Sequence, residues 1–143
     1  MSSRLNREDT QHYAIVSVGT NIDPEENLRK SKEILVAEMT FLGEAEVIKT
    51  APDGFQDQPD FLNGAYFIGT DMAYDDFNQY LKSIEKRMGR VKGPIKSGPR
   101  CIDLDIIVWD GKVVHSDYHQ HKHYVITPVN ELLNKFNVQL NVS

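Results

Sequence analysis

A buried strand is predicted within residues 98–114, GPRCIDLDIIVWDGKVV, because the run from Cys101 to Trp109 is largely apolar. The DGK triplet that follows predicts a turn into a short return strand, VVH. Two carboxylates, Asp103 and Asp105, interrupt the apolar run. Since side chains alternate along a strand, both should face one side, about 6.6 Å apart in two steps of roughly 3.3 Å. The opposite side is expected to face the core through Leu104, Ile106 and Val108. Unpaired charge on a buried strand costs free energy, so the aspartates predict a nearby cation.

The elements around this strand predict an α+β fold. The sequence indicates, in order, a strand at 12–19, a helix from 23 to 43, strands at 44–50 and 62–72, a helix at 75–88, and the aspartate-bearing strand. This β-α-β-β-α-β order is that of the ferredoxin-like arrangement, an antiparallel sheet with helices packed on one face. Residues 1–11 are expected to form a flexible N-terminal tail, and residues 12–143 a single domain.

Local signals set the expected limits of both helices. The first helix should begin at Asp23 as N-cap, with Pro24 in its first turn, and end at Gly43. The second should end at Gly89. The apolar faces that are expected to pack against the sheet are Leu28, Leu35, Met39 and Leu42 in the first helix, and Phe77, Leu81, Ile84 and Met88 in the second.

Composition excludes several classes of protein. The 143 residues are 40% hydrophobic and 26% charged, which is typical of a soluble globular domain. No apolar run is long enough to span a bilayer and the N-terminus lacks the apolar segment of a signal peptide, so no membrane association and a cytoplasmic location are expected. A net charge of −5 argues against nucleic-acid binding. The single cysteine, Cys101, is expected to be a small core residue. A monomer is the expected state, with an oligomer left open.

Basic residues are concentrated in one segment of this acidic chain. Residues 86–100, KRMGRVKGPIKSGPR, contain six basic residues and no acid, which predicts a local anionic ligand. Magnesium suits a site that offers only two carboxylates, because it completes its shell with water and phosphate. A mobile cationic loop beside such a strand is typical of phosphoryl transfer. The alternative is that the aspartates and the basic run merely keep a strand and a loop solvated.

Two further segments offer candidate ligands. Phe61 and Asn63 lie two residues apart, so a ring and a carboxamide on one side of a strand could hold a flat, hydrogen-bonding heterocycle. The alternative makes Phe61 a core residue and Asn63 a turn residue. On a strand, His119, His121 and His123 would share one face as zinc ligands could, but no cysteine or carboxylate partner stands at the usual spacing.

Four segments together resemble the 6-hydroxymethyl-7,8-dihydropterin pyrophosphokinase family of folate biosynthesis. They are SVGTN, FQDQPDFLNGA, IEKRMGRVK and GPRCIDLDI, which cover roughly residues 13–109 in the family's order. The resemblance implies a ferredoxin-like fold and transfer of pyrophosphate from ATP to the hydroxymethyl group of the pterin, with release of AMP. The chain looks like a short member, because the segment between Val114 and Tyr124 is shorter than is usual in the family.

The same resemblance implies roles for individual residues. Asp103 and Asp105 look like the ligands of two magnesium ions, and Arg90 and Arg100 like catalytic clamps on the phosphates. The implied pterin-binding residues are Thr50, Asp53, Phe61, Asn63 and Tyr124, with Phe61 and Tyr124 as the two walls and Asn63 as the reader of the pterin edge. The implied ATP-binding residues are Glu85, Lys92, Ile106 and Lys122.

Two other functions remain open at the level of sequence. One is a relative that binds pterin but has weak or lost transferase activity, which the shortened segment after Val114 favours. The other is an RNA-binding module on the same topology, which the basic segment favours. The acidic net charge and the lack of an aromatic RNA-binding strand signature argue against RNA.

Overall fold

The computed structural model of the chain describes residues 10–89 and 101–141. Its strands are β1 (His12–Thr20), β2 (Thr40–Glu44), β3 (Ile48–Thr50), β4 (Phe61–Thr70), β5 (Asp103–Trp109) and β6 (Lys112–Val113). Its helices are α1 (Pro24–Glu38), α2 (Tyr74–Arg87), α3 (Ser116–His119) and α4 (His123–Lys135). Residues 1–9 of the predicted tail lie outside the described part, and the division into tail and domain stays a prediction.

The strands form one antiparallel sheet with β1 near its centre. The order is β2-β4-β1-β5-β6, and β3 also pairs with β4. The DGK turn is confirmed, because Trp109 pairs with Lys112 across Asp110 and Gly111, which both have positive φ. Two residues with positive φ are what a tight hairpin of this kind requires. The α+β class and the antiparallel sheet are therefore confirmed.

The sheet has a buried core on each face. As predicted, α1 and α2 pack on one face, through Leu35 of α1 and Phe77, Leu81 and Ile84 of α2. A third long helix, α4, covers the opposite face through Val125, Val129, Leu132 and Leu133. Within the described residues, no helix has the length and apolar character needed to cross a membrane.

The predicted end of the first helix at Gly43 is wrong. Helix α1 ends at Glu38, and Gly43 lies within β2, so the predicted strand at 44–50 is replaced by β2 and β3. A Cβ atom at Gly43 would collide with the ring of Phe136, which follows α4. Glycine is needed here for the close approach of that ring, and Leu42 belongs to the core under α4 rather than to the face of α1.

The predicted alternation along β5 holds as far as Ile107 and fails at Val108. Val16 pairs with Ile106 and Ile15 pairs with Val108, which leaves Ile107 as an extra residue in a bulge. Val108 is therefore buried under α4, on the face opposite to Leu104 and Ile106, and not beside them as predicted. The aspartates precede the bulge, so their shared face is unaffected.

Replacing Gly43 with alanine is expected to lower the free energy of unfolding by about 1–3 kcal/mol, because the added methyl group forces Phe136 out of place. Denaturant unfolding measures the change. Gly64→Ala is the matched control, since a Cβ there meets Val18 and Val47 at ordinary distances of 3.5 and 3.6 Å. Equal stability of the two variants would contradict the proposed role of Gly43 in seating the end of α4.

Candidate active site

Strand register places the candidate site residues in rows across the sheet. Gly19 in β1 pairs with Asn63 in β4 on one side and with Asp103 in β5 on the other. Adjacent strands lie about 4.8 Å apart, so the carboxamide and the carboxylate stand about two strand spacings from each other. Ser17 pairs with Asp105 two residues along β1. The rows share the face of the sheet that α4 covers.

A cavity of about 340 Å³ opens on this face. Seven of the residues implied by the resemblance line it: Thr50, Asp53, Phe61, Asn63, Asp103, Asp105 and Tyr124. They come from four separate regions of the chain, namely β3 with its following loop, β4, β5 and the start of α4. One cavity thus brings the candidate pterin ligands and the candidate metal ligands together.

Asn63 is held in one orientation at the floor of the cavity. It is 7% exposed, and its Nδ2 donates to Thr50 Oγ1 at 2.6 Å. The Oδ1 atom lies 2.9 Å from where a Cβ at Gly19 would stand. Asn63 lies within β4, so the alternative that it is a turn residue is wrong. Phe61, the other candidate on this strand, is only half-buried. It lines the cavity and does not belong to the buried core, as the alternative for this residue would require.

A pair of contacts to Asp53 ties the loop after β3 to the start of α4. Asp53 Oδ2 accepts hydrogen bonds from Lys122 Nζ at 2.9 Å and from Tyr124 Oη at 3.0 Å. The bond from Lys122, with that from Tyr124, holds the pKa of Asp53 below its ordinary value. Tyr124 is thereby fixed at the cavity wall. Lys122 lies outside the lining, at the rim.

The loop between β3 and β4 is also anchored to the end of β1. Asn21 is buried, and its Nδ2 donates to Gln58 Oε1 at 2.8 Å and to the carbonyl oxygen of Pro59 at 3.0 Å. These bonds join the SVGTN segment to the FQDQPDFLN segment, two of the four that carry the resemblance. The loop that bears Asp53 is consequently held at both of its ends.

The paired aspartates suit magnesium by their chemistry. Asp103 and Asp105 are partly exposed in the cavity and offer hard carboxylate oxygens. Within residues 10–89 and 101–141, no group of three or more histidine, cysteine and acidic side chains could hold a metal ion alone. Water and substrate phosphate would therefore have to complete the shell, as they usually do for magnesium.

Lys82, which the sequence did not single out, contacts one of these aspartates. Its Nζ donates to Asp105 Oδ1 at 3.1 Å, to the carbonyl oxygen of Leu104 at 2.7 Å and to Glu85 Oε2 at 3.0 Å. Burial lowers the pKa of Lys82, but the charges of Asp105 and Glu85 outweigh it and raise the pKa overall. The ammonium is therefore charged beside the cavity.

The three candidate nucleotide ligands that the structure describes, Glu85, Ile106 and Lys122, do not line the cavity. Glu85 is 5% exposed on α2, and its Oε2 accepts the Leu104 N–H at 2.7 Å. Ile106 is buried in the core under α1 and α2. Arg90, Lys92 and Arg100 lie outside the described residues. The nucleotide-binding and catalytic assignments of these residues stay predictions.

The segment between β6 and α4 differs from its prediction. His119 ends α3, His121 has a positive φ of 57° in a turn, and His123 begins α4, so the three do not share a strand face. Asp117, in α3, lines the cavity opposite the strands and was missed by sequence reasoning. No periodic pattern or motif in this short segment distinguishes Asp117 from a surface residue.

Taken together, the sheet and the cavity define an α+β domain with a small-molecule site, in which a carboxamide and two aromatic rings stand beside paired carboxylates. The model of one family, 7,8-dihydro-6-hydroxymethylpterin-pyrophosphokinase (HPPK), matches residues 15–134. The chain belongs to this family.

Curated relatives agree with this membership. The chain is 37% identical over 107 residues to the folic acid synthesis protein fol1 of Schizosaccharomyces pombe, covering 73% of this chain and 14% of that protein. It is 32% identical over 146 residues to the mitochondrial folate synthesis bifunctional protein of Arabidopsis thaliana, covering 92% and 25%. It is 30% identical over 109 residues to 2-amino-4-hydroxy-6-hydroxymethyldihydropteridine pyrophosphokinase of Bacillus subtilis, covering 74% and 65%. The chain thus spans only part of the length of each of these relatives.

Proposed function

We propose that this chain transfers pyrophosphate from ATP to 6-hydroxymethyl-7,8-dihydropterin and releases AMP, as a step of folate biosynthesis. The observation that carries the proposal is the convergence of seven candidate residues on one cavity. Family membership supports it, as does the name of the Bacillus subtilis relative. The hydroxyl of the pterin substrate would itself attack phosphorus, so the protein has to position and neutralise rather than supply a nucleophile.

The pterin is proposed to lie between Phe61 and Tyr124 with its edge against Asn63. The hydrogen bond to Thr50 leaves the Asn63 Oδ1 as an oriented acceptor for a ring N–H. The contact with Asp53 keeps the Tyr124 ring at the wall. A rigid site of this kind reduces the entropic cost of binding a flat ring.

The triphosphate is proposed to lie over β5. Asp103 and Asp105 would hold two magnesium ions, which supply neutralising charge to the phosphates when bound. Arg90 and Arg100 are proposed as phosphate clamps. The proposed nucleotide-binding residues are Glu85, Lys92, Ile106 and Lys122. Glu85 and Asp105 both accept a hydrogen bond from Lys82 at the edge of β5, so a nucleotide that contacts Glu85 would lie near that edge.

The finer description of the fold is also a proposal. We infer a ferredoxin-like βαββαβ core, supported by the strand order β2-β4-β1-β5 and by the two helices α1 and α2 on one face. A monomeric state and a cytoplasmic location stay predictions, and the Arabidopsis thaliana relative is described as mitochondrial.

Incubation of the protein with ATP, magnesium and 6-hydroxymethyl-7,8-dihydropterin is expected to yield AMP and the pterin diphosphate in equal amounts. Chromatography of the nucleotides measures the AMP. Omission of the pterin is the control, because it separates pyrophosphoryl transfer from ATP hydrolysis. AMP formation no faster than in that control would contradict the proposal. Calorimetry showing pterin binding without transfer would then favour a binding protein that has lost the activity.

A further inference from the structure

The outer edge of β5 is closed by side chains rather than by a strand. Among the described residues, β6 pairs only with Val108 and Trp109, so the first part of β5 has no strand partner on its outer side. Leu104 nevertheless has both backbone groups bonded there: its N–H donates to Glu85 and its carbonyl accepts from Lys82, each at 2.7 Å. Helix α2 thus supplies the hydrogen bonds that a neighbouring strand would make.

Lys82 also binds a carboxylate of the candidate site, in addition to its bonds at this edge. A lysine ammonium has three N–H donors. Two are used at the edge, by Leu104 and Glu85, and the third reaches Asp105 Oδ1 at 3.1 Å. Because the other two bonds fix the nitrogen, the positive charge is held at a carboxylate that faces the cavity on the opposite side of the sheet.

We propose that Lys82 is the resident counter-cation of Asp105: it makes the binding of a free divalent cation weak, so that the ion enters the site together with a polyphosphate. The inference rests on the proposed role of Asp105 as a magnesium ligand. A divalent ion on Asp105 would lie close to the ammonium and be repelled by it. The negative charges of a bound polyphosphate offset that repulsion, which favours the joint arrival of metal and nucleotide.

The charge of Lys82 should therefore be visible in metal affinity without any catalysis. Lys82 is 40% exposed, so the repulsion acts through a high effective dielectric constant. Its removal is expected to tighten the binding of a divalent ion by about 3- to 10-fold. With a polyphosphate present, the difference between variant and wild type should shrink.

Titration of Mn²⁺ into the full chain, followed by electron paramagnetic resonance of the free ion, tests this in the absence of nucleotide. Lys82→Met and Lys82→Gln are expected to bind Mn²⁺ about 3- to 10-fold more tightly than wild type, whereas Lys82→Arg stays within about twofold. Glu85→Gln is the matched control, because it alters the same edge but keeps the ammonium; it should not tighten binding. With a nonhydrolysable ATP analogue, the three Lys82 variants should agree with wild type within about threefold.

Lys82→Gln keeps a donor for the Leu104 carbonyl without the charge, so it remains informative if the methionine variant fails to fold. Mn²⁺ affinity equal to or weaker than that of wild type in the folded neutral variant would overturn the inference. If wild type still releases AMP in that case, the proposed function stands without it. If wild type neither releases AMP nor loses Mn²⁺ binding on Asp105→Asn, the proposed function itself fails.

Discussion

Alanine in place of Asp103 or Asp105 is expected to lower the rate of AMP release at least about 100-fold, because each change removes a ligand of the ions that neutralise the triphosphate. Both carboxylates face the same cavity and lie on a strand whose register is set by pairing with Gly19 and Ser17. Their positions are therefore set by the sheet. Initial rates at saturating pterin and varied Mg-ATP measure the loss.

Asp76→Asn is the matched control for these variants. Asp76 is an exposed carboxylate in the first turn of α2 and lies outside the lining of the cavity. Its loss should leave the rate within about twofold, since a first-turn aspartate contributes mainly to helix stability. Pterin affinity, measured by calorimetry, should change by less than about threefold in all three variants, because the ring site lies about two strand spacings away. A wild-type rate in both alanine variants would contradict the metal assignment.

The sequence predicted those parts of the fold that depend on local signals. Helix α2 begins and ends within one residue of its prediction, and Gly89 follows it with a φ of 91°, as a C-terminal glycine should. The hairpin at Asp110 and Gly111 is equally local. The shared face of Asp103 and Asp105 required only the alternation of one strand.

The errors arise where distant residues decide the structure. Gly43 resembles a helix stop, but its role depends on a ring that follows 93 positions later at Phe136. Val108 changes face because an extra residue, Ile107, enters the pairing with β1. Neither the approach of Phe136 to Gly43 nor the bulge at Ile107 can be recognised from the sequence on either side of it.

Helix α4 was missed for a reason that is also physical. Pro128 lies inside it, and the N-cap residue Lys122 makes no capping hydrogen bond through its side chain. Proline removes a helical hydrogen bond and is disfavoured in a helix interior. Burial of the apolar face of α4 against the sheet outweighs these local costs, and only the assembled sheet provides that surface.

The candidate site was predictable residue by residue but not as a geometry. Alternation and motif resemblance pick out Asn63 and Asp103, yet neither reveals that Gly19 stands between them in the sheet. Lys82 could not be predicted for the same reason. It is 23 residues from Asp105 in the sequence, and its ammonium reaches that carboxylate around the edge of β5. The strand register, rather than the type of each residue, brings Asn63 and the paired aspartates into one site.

Gly19→Ala is expected to weaken pterin binding by about 10- to 100-fold, equivalent to about 1.4–2.8 kcal/mol. The new Cβ would stand 2.9 Å from Asn63 Oδ1, the atom proposed to read the pterin edge. Asn63 cannot simply move aside, because it is buried and its Nδ2 is bonded to Thr50 at 2.6 Å. Either that bond breaks or the carboxamide rotates, and both outcomes misplace the acceptor.

Calorimetric titration with 6-hydroxymethylpterin measures the effect, with Gly64→Ala as the control. Gly64 follows Asn63 in β4, and a Cβ there meets nothing closer than Val18 at 3.5 Å, so its pterin affinity should stay within about threefold of wild type. Because both variants add one methyl group to adjacent rows of the same sheet, a general loss of stability would affect both. A selective loss at Gly19 therefore reports on the Asn63 carboxamide itself, whereas equal affinities in the two variants would show that this carboxamide does not read the pterin.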